Sequence, residues 1–193
     1  KDSVEFTLDT ALSEGSQNLV TNAAITEAIN DQSARVDKLE AHKGVSYLQA
    51  CLPSDTKITK EGTYENPVIL PFTGTARSGG SGLSLGSNGV VIGAGVKKVR
   101  VSAQMYMWNS TALTQCEINV FVSNADGTRT RHLRSITKRV SNYETIATSQ
   151  IILPVAEGQI VQAAYIGKPD TTIVAYKDGT LLFVEVAERE DNK

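Results

Sequence analysis

Apolar residues recur at heptad spacing up to Gly44 and alternate after it, so a helix followed by a sheet is the expected build. With Asn22 at heptad position a, Ile29, Val36 and Lys43 also fall at a, and Ile25, Gln32 and Leu39 fall at d. The apolar members make a narrow stripe of the coiled-coil kind, not the wider face of a helix packed on its own domain. Asn18 suits an N-cap and Gly44 a C′ position. The spacing therefore predicts a helix over 18–43, about 25 residues and about 37 Å long at roughly 1.5 Å per residue. In parallel copies Arg35 at g stands beside Glu40 at the next e, an opposite-charge pair that sets orientation. Asn22 and Gln32 weaken the seam but fix its register, because each must meet its own copies. The expected role is a stalk that assembles copies of the chain through Asn22, Ile25, Ile29, Gln32, Val36 and Leu39.

Beyond Gly44 the alternation predicts strands at 45–52, 68–72, 90–93, 97–107, 115–123, 128–137, 145–153, 159–166, 172–176 and 181–187, separated by Asn, Asp, Gly and Pro clusters. In KKVRVSAQMYM, Val99, Val101, Ala103, Met105 and Met107 share one face; in QCEINVFV, Cys116, Ile118, Val120 and Val122 do the same. Many short strands with no second helix predict a mostly β chain, a coiled-coil helix followed by an antiparallel sandwich of the jelly-roll type. Residues 74–89 are rich in Gly and Ser and read as a loop; they lack the Lys-Ser/Thr ending and following helix of a phosphate cradle. The expected division is a polar linker over 1–17, opening with a short strand at 4–8, a stalk over 18–43 and a head over 44–193.

A length of 193 residues holds one sizeable core and an appendage. A formal net charge of −2 gives no overall attraction to nucleic acid, and no apolar run reaches the ~18 residues of a membrane span. Lys1 in place of a start methionine suggests a fragment of a longer chain. Cys51 and Cys116 lack metal-ligand spacing and read as buried free thiols, with a disulfide left open. His42 and His132 have no triad or ligand spacing, and no HExxH, GxSxG or CxxC occurs. The expectation is a non-enzymatic protein without metal or cofactor.

Ser16, Asn18, Val20, Asn22 and Ile25 match the S-x-N-P-V-x-N-x-x-I segment that opens trimeric coiled coils in bacteriophage tail-fibre and receptor-binding proteins, with Leu19 where proline is usual. This segment resembles that family. The succession VVIGAGVKKVRVSAQMYM, EINVFVSNADG, SQIILPVAEGQIVQAAYIG and DGTLLFVEV resembles, over 45–187, the tumour-necrosis-factor and complement globular-head superfamily. Gln159 stands where that family's Pro-x-x-x-Gly-Asp turn has Asp.

The two resemblances imply a homotrimer. They imply a phage tail-fibre receptor-binding protein at the distal end of the virion tail, joined to upstream tail or baseplate proteins. Its head would recognise a bacterial surface polysaccharide, teichoic acid or outer-surface protein, without nucleic acid and without membrane insertion. The alternatives are a secreted complement- or tumour-necrosis-factor-like signalling or immune head, or a purely structural fibre cap. Alternating strand direction puts the turns 124–127 and 154–158 at the base and the loops 108–114, 139–144 and 167–180 at the apex. Those loops hold Trp108, Asn109, Asn142, Tyr143, Lys168, Asp170 and Tyr176, aromatic faces beside hydrogen-bonding groups as a sugar site needs. A second candidate is the basic run containing Arg129, Arg131 and Arg134, either a charged edge strand or a site for an anionic polymer.

Overall fold

A computed structural model describes residues 8–9, 19–20, 30–32, 45–109, 116–137, 143–169 and 172–190. The chain divides into two compact units, Lys1–Gly44 and Val45–Lys193.

In the first unit β1 (Leu8–Asp9) pairs in parallel with β2 (Leu19–Val20), Leu8 opposite Leu19. The predicted helix therefore does not begin at Asn18. Without proline at position 19 nothing presets a helical φ there, and branched Val20 favours the extended backbone. Asn30–Gln32 are helical and exposed, which includes the seam position Gln32. Asn22, Ile25, Ile29, Val36 and Leu39, with Arg35 and Glu40, lie outside the described residues, so the coiled coil is not seen.

The second unit is built of β3 (Tyr47–Cys51), β4 (Thr56–Ile58), β5 (Val68–Ile69), β6 (Gly74–Gly79), β7 (Leu83–Leu85), β8 (Val90–Ile92) and β9 (Val96–Trp108). It continues with β10 (Cys116–Ser123), β11 (Arg129–Thr137), β12 (Tyr143–Ala147), β13 (Ile151–Pro154), β14 (Ile160–Gly167), β15 (Ile173–Ala175) and β16 (Leu181–Arg189). An eight-stranded sheet runs β4-β15-β9-β16-β3-β6, with β12 and β13 also on β9; a six-stranded sheet runs β11-β10-β14-β8-β7, with β5 on β14. All pairings in these two sheets are antiparallel and, apart from the hairpins β10–β11 and β7–β8, join strands that are not consecutive in sequence, the jelly-roll arrangement.

The core lies between the sheets. Val99, Val101, Ala103, Met105 and Met107 of β9 face Cys116, Ile118, Val120 and Val122 of β10 within one cluster. Burying the Val, Ile and Met side chains among these contributes about 1.5–3 kcal/mol each. Several features differ from the alternation pattern, among them β4, which no expected strand covers. The Gly/Ser stretch holds β6, whose side chains leave no apolar signature, and β7, which offers only Leu83 and Leu85 to the core. The strand expected at 145–153 is β12 and β13, interrupted where Thr148 donates its N–H to Ala103 O (2.8 Å) and accepts from Ala103 N through Oγ1 (2.9 Å). Every residue of β10 is buried, on its outward face as well as its inward one.

Candidate functional site

Strand register gathers the expected apex at one end of the sandwich. Trp108 pairs with Tyr143 on one side of β9 and with Val174 on the other. Cys116 pairs with both Thr137 and Gly167, which brings the neighbouring chain ends to that same end. At the opposite end Ser123 pairs with Arg129 and Ile160, and Pro154 with Lys98. There Gln159 Nε2 donates to Asn124 Oδ1 at 2.8 Å while Gln159 Oε1 accepts from Ala156 N at 2.8 Å, so one amide ties the two turns together.

Near the first end, three tyrosines meet on the outward face of the eight-stranded sheet. Tyr106 comes from β9, Tyr143 from β12, and Tyr176 from the turn after β15, whose N–H donates to Tyr106 O at 2.8 Å. Gly179 permits that turn, because a Cβ there would stand 2.5 Å from Tyr106 Cβ. The ring centroids are 6.0 Å apart for Tyr106–Tyr143, 5.4 Å for Tyr106–Tyr176 and 6.1 Å for Tyr143–Tyr176, within the range of favourable aromatic pairs. Partial burial, then the neighbouring Tyr143, holds the Tyr176 phenol above the ordinary tyrosine range. Tyr143 is 55 % exposed and Trp108 half-buried.

The expected site is thus brought together in part. Trp108, Tyr143 and Tyr176 converge, and Lys168 is exposed just beyond β14. Asn109 is fully buried, so it supports the structure instead of presenting an amide to a ligand. Asn142 and Asp170 lie outside the described residues. Tyr106 was not anticipated; period-two spacing set it on the outward face, but nothing in the sequence told which tyrosines would meet it.

Farther along the same face Tyr47 and Phe183 stack at 6.3 Å. Between the two aromatic groups is a depression of about 350 Å³ lined by Gln49, Ser102, Gln104, Thr148, Gln150 and Phe183. Its walls are neutral, with no pair of carboxylates and no nucleophile–base couple. Among the described residues no group of His, Cys, Asp and Glu is arranged to hold a metal ion, and no helix is long and apolar enough to cross a membrane.

The basic run forms β11, the edge of the six-stranded sheet. Arg134 is not free for a ligand: its Nη2 lies 2.9 Å from Oε1 of Glu117, a carboxylate only 2 % exposed. The Tyr64 hydroxyl donates to the same carboxylate at 3.1 and 3.2 Å. No disulfide joins Cys51 and Cys116, the former half-buried and the latter buried.

No family model and no curated protein matches the chain. Solved structures do. Murine APRIL at pH 5.0 aligns with a TM-score of 0.56 and 14 % identity, covering 74 % of this chain and 98 % of that one. Eiger TNF from S. frugiperda aligns at 0.57 and 13 %, covering 77 % and 96 %. At this identity the likeness is one of fold, a tumour-necrosis-factor-like jelly roll.

Proposed function

We propose that the chain is a non-catalytic recognition head that works as a homotrimer and holds a partner on a cell surface. The observation that carries this is the outward face of the eight-stranded sheet. One face of that sheet forms the core, yet the other also bears large half-buried groups, Tyr47, Leu181, Phe183 and Tyr106, in a fold shared with tumour-necrosis-factor-like ligands. A second copy is the occupant that suits such a face, since contacts between copies are aromatic-rich at their centre. The rim where Trp108, Tyr143, Lys168 and Tyr176 gather is left for the ligand.

Two settings suit such a head. The structural relatives favour a ligand head of the tumour-necrosis-factor type. Ser16, Asn18, Val20, Asn22 and Ile25 favour the end of a phage tail fibre, with a bacterial surface polysaccharide or protein as ligand. Labelled protein applied to bacterial cells and to tumour-necrosis-factor-receptor-type ectodomains separates them. Saturable attachment to bacteria places it on a fibre, and binding to the ectodomains places it among the ligands. Binding to neither, with the trimer intact, would refute recognition and leave a structural cap.

Substitutions separate the two surfaces. Phe183→Glu should dissociate the trimer, because it puts a carboxylate into each copy of an apolar contact. Tyr143→Ala should weaken attachment at least tenfold while leaving the mass unchanged. If Tyr143→Ala dissociates the trimer as well, the tyrosines are a contact between copies and the ligand lies elsewhere.

A further inference from the structure

The outward face of the six-stranded sheet carries a second arrangement, one that the aromatic rim does not explain. Strict alternation along Arg129-Thr-Arg131-His-Leu-Arg134 would put Arg134 on the face opposite Arg129 and Arg131. The register shifts between Val120 and Phe121, so that Val120 pairs with Leu133 and Phe121 with Arg131, leaving His132 as the extra residue of a β-bulge. Leu133 accordingly packs against the core, and Arg129, Arg131 and Arg134 come to share one face, opposite Ser123, Phe121 and Asn119.

The three arginines are not equivalent. Arg134 neutralises Glu117, as described above. Arg131 lies with its guanidinium carbon 4.2 Å from the centroid of the Tyr64 ring, and the Tyr64 hydroxyl is anchored on Glu117. That stacking holds the guanidinium in a set orientation while leaving its N–H groups to the side. Arg129, two residues along, is exposed, and among the described residues neither it nor Arg131 has an ion pair. The carboxylate of the adjoining turn, Asp126, is occupied by Thr128, whose N–H donates to it at 2.8 Å and whose hydroxyl donates at 2.6 Å. Two unneutralised arginines, their Cα atoms about 7 Å apart along the strand, therefore face solvent beside a buried carboxylate that is already satisfied.

We infer that this face binds an anionic polysaccharide through successive oxyanions, with Arg129 and Arg131 as the contacting residues and Tyr64 as the residue that positions Arg131. Guanidinium groups pair bidentately with phosphate and sulfate oxygens, and two in a row suit a repeating polymer better than a single ion. Nucleic acid fits less well. Arg131 already lies over the Tyr64 ring and Phe121 is buried beneath this face, which leaves no open stacking platform for bases.

This site is separate from the tyrosine rim, and its test does not depend on that rim. Binding of the full chain is measured to a poly(glycerol phosphate) teichoic chain, a sulfated glycan, uncharged dextran and a single-stranded oligonucleotide at several salt concentrations. The expected result is binding to one or both charged glycans that weakens as salt rises, with none to dextran. Which charged glycan binds more tightly identifies the oxyanion. Arg129→Gln with Arg131→Gln should weaken binding at least tenfold without changing mass or melting temperature, since both side chains are exposed. Tyr64→Ala should weaken it less, and Tyr143→Ala should leave it unchanged. Unchanged binding by the double arginine variant, no binding of either glycan at low salt, or equal binding of the oligonucleotide would each overturn the inference.

Discussion

Glu117 shows what one residue decides here. Read along the strand, it is an outward position on a half-exposed ribbon, and the arginines of β11 look like an unopposed positive run. In space Glu117 is buried, and Arg134, Tyr64 and Asn119 converge on it, Asn119 Nδ2 at 3.4 Å. The sequence could not reveal this, because Tyr64 and Glu117 are 53 positions apart. A buried carboxylate must keep its partners, so Arg134→Ala should destabilise the head by about 2–4 kcal/mol, read as a lower midpoint in urea unfolding. Glu117→Gln together with Arg134→Ala should restore part of that loss. An unchanged midpoint for Arg134→Ala would mean that Glu117 is satisfied without it. Gln159 is the opposite case: its difference from the Asp usual in the turn it resembles was visible in the sequence, and the structure gives the amide a use of its own in tying two turns together.

At the scale of elements, strands with alternating side chains were legible and strands defined by backbone were not. β9, β10, β14 and β16 fall within a residue or two of their expected bounds because their inward faces are apolar. β6 escaped notice because its side chains are nearly all exposed and its glycines are there to let large neighbours in; a Cβ on Gly79 would stand 2.8 Å from the Tyr47 ring. The stretch around Gly62 was equally silent, although it extends the contact with β14 beyond β5, which falls inside the strand expected at 68–72. Gly62 and Gly167 exchange two hydrogen bonds of 3.0 Å, and Val68 and Ile69 pair with Tyr165 and Ala164. A Cβ at Gly62 would lie 2.4 Å from the carbonyl oxygen of Tyr165, a backbone atom that cannot step aside. Gly62→Ala should therefore cost about 1–3 kcal/mol and speed hydrogen exchange at the Gly167 amide. Exchange at the wild-type rate would show that the pairing survives.

For the whole molecule, the order of turns and strands after Gly44 was enough to suggest the jelly roll, which the fold of APRIL and Eiger shares at 13–14 % identity. Fold at that distance survives because it depends on which positions are apolar, and function does not, because it depends on a few side chains at the rim. Association of copies is the property on which the recognition head rests, and the mass in solution tests it most directly. Light scattering at micromolar concentration should give three times the 20.7 kDa of one chain, about 62 kDa, and Phe183→Glu should lower it. A wild-type mass of 20.7 kDa under those conditions would contradict the homotrimer and, with it, the part assigned to the open face of the eight-stranded sheet.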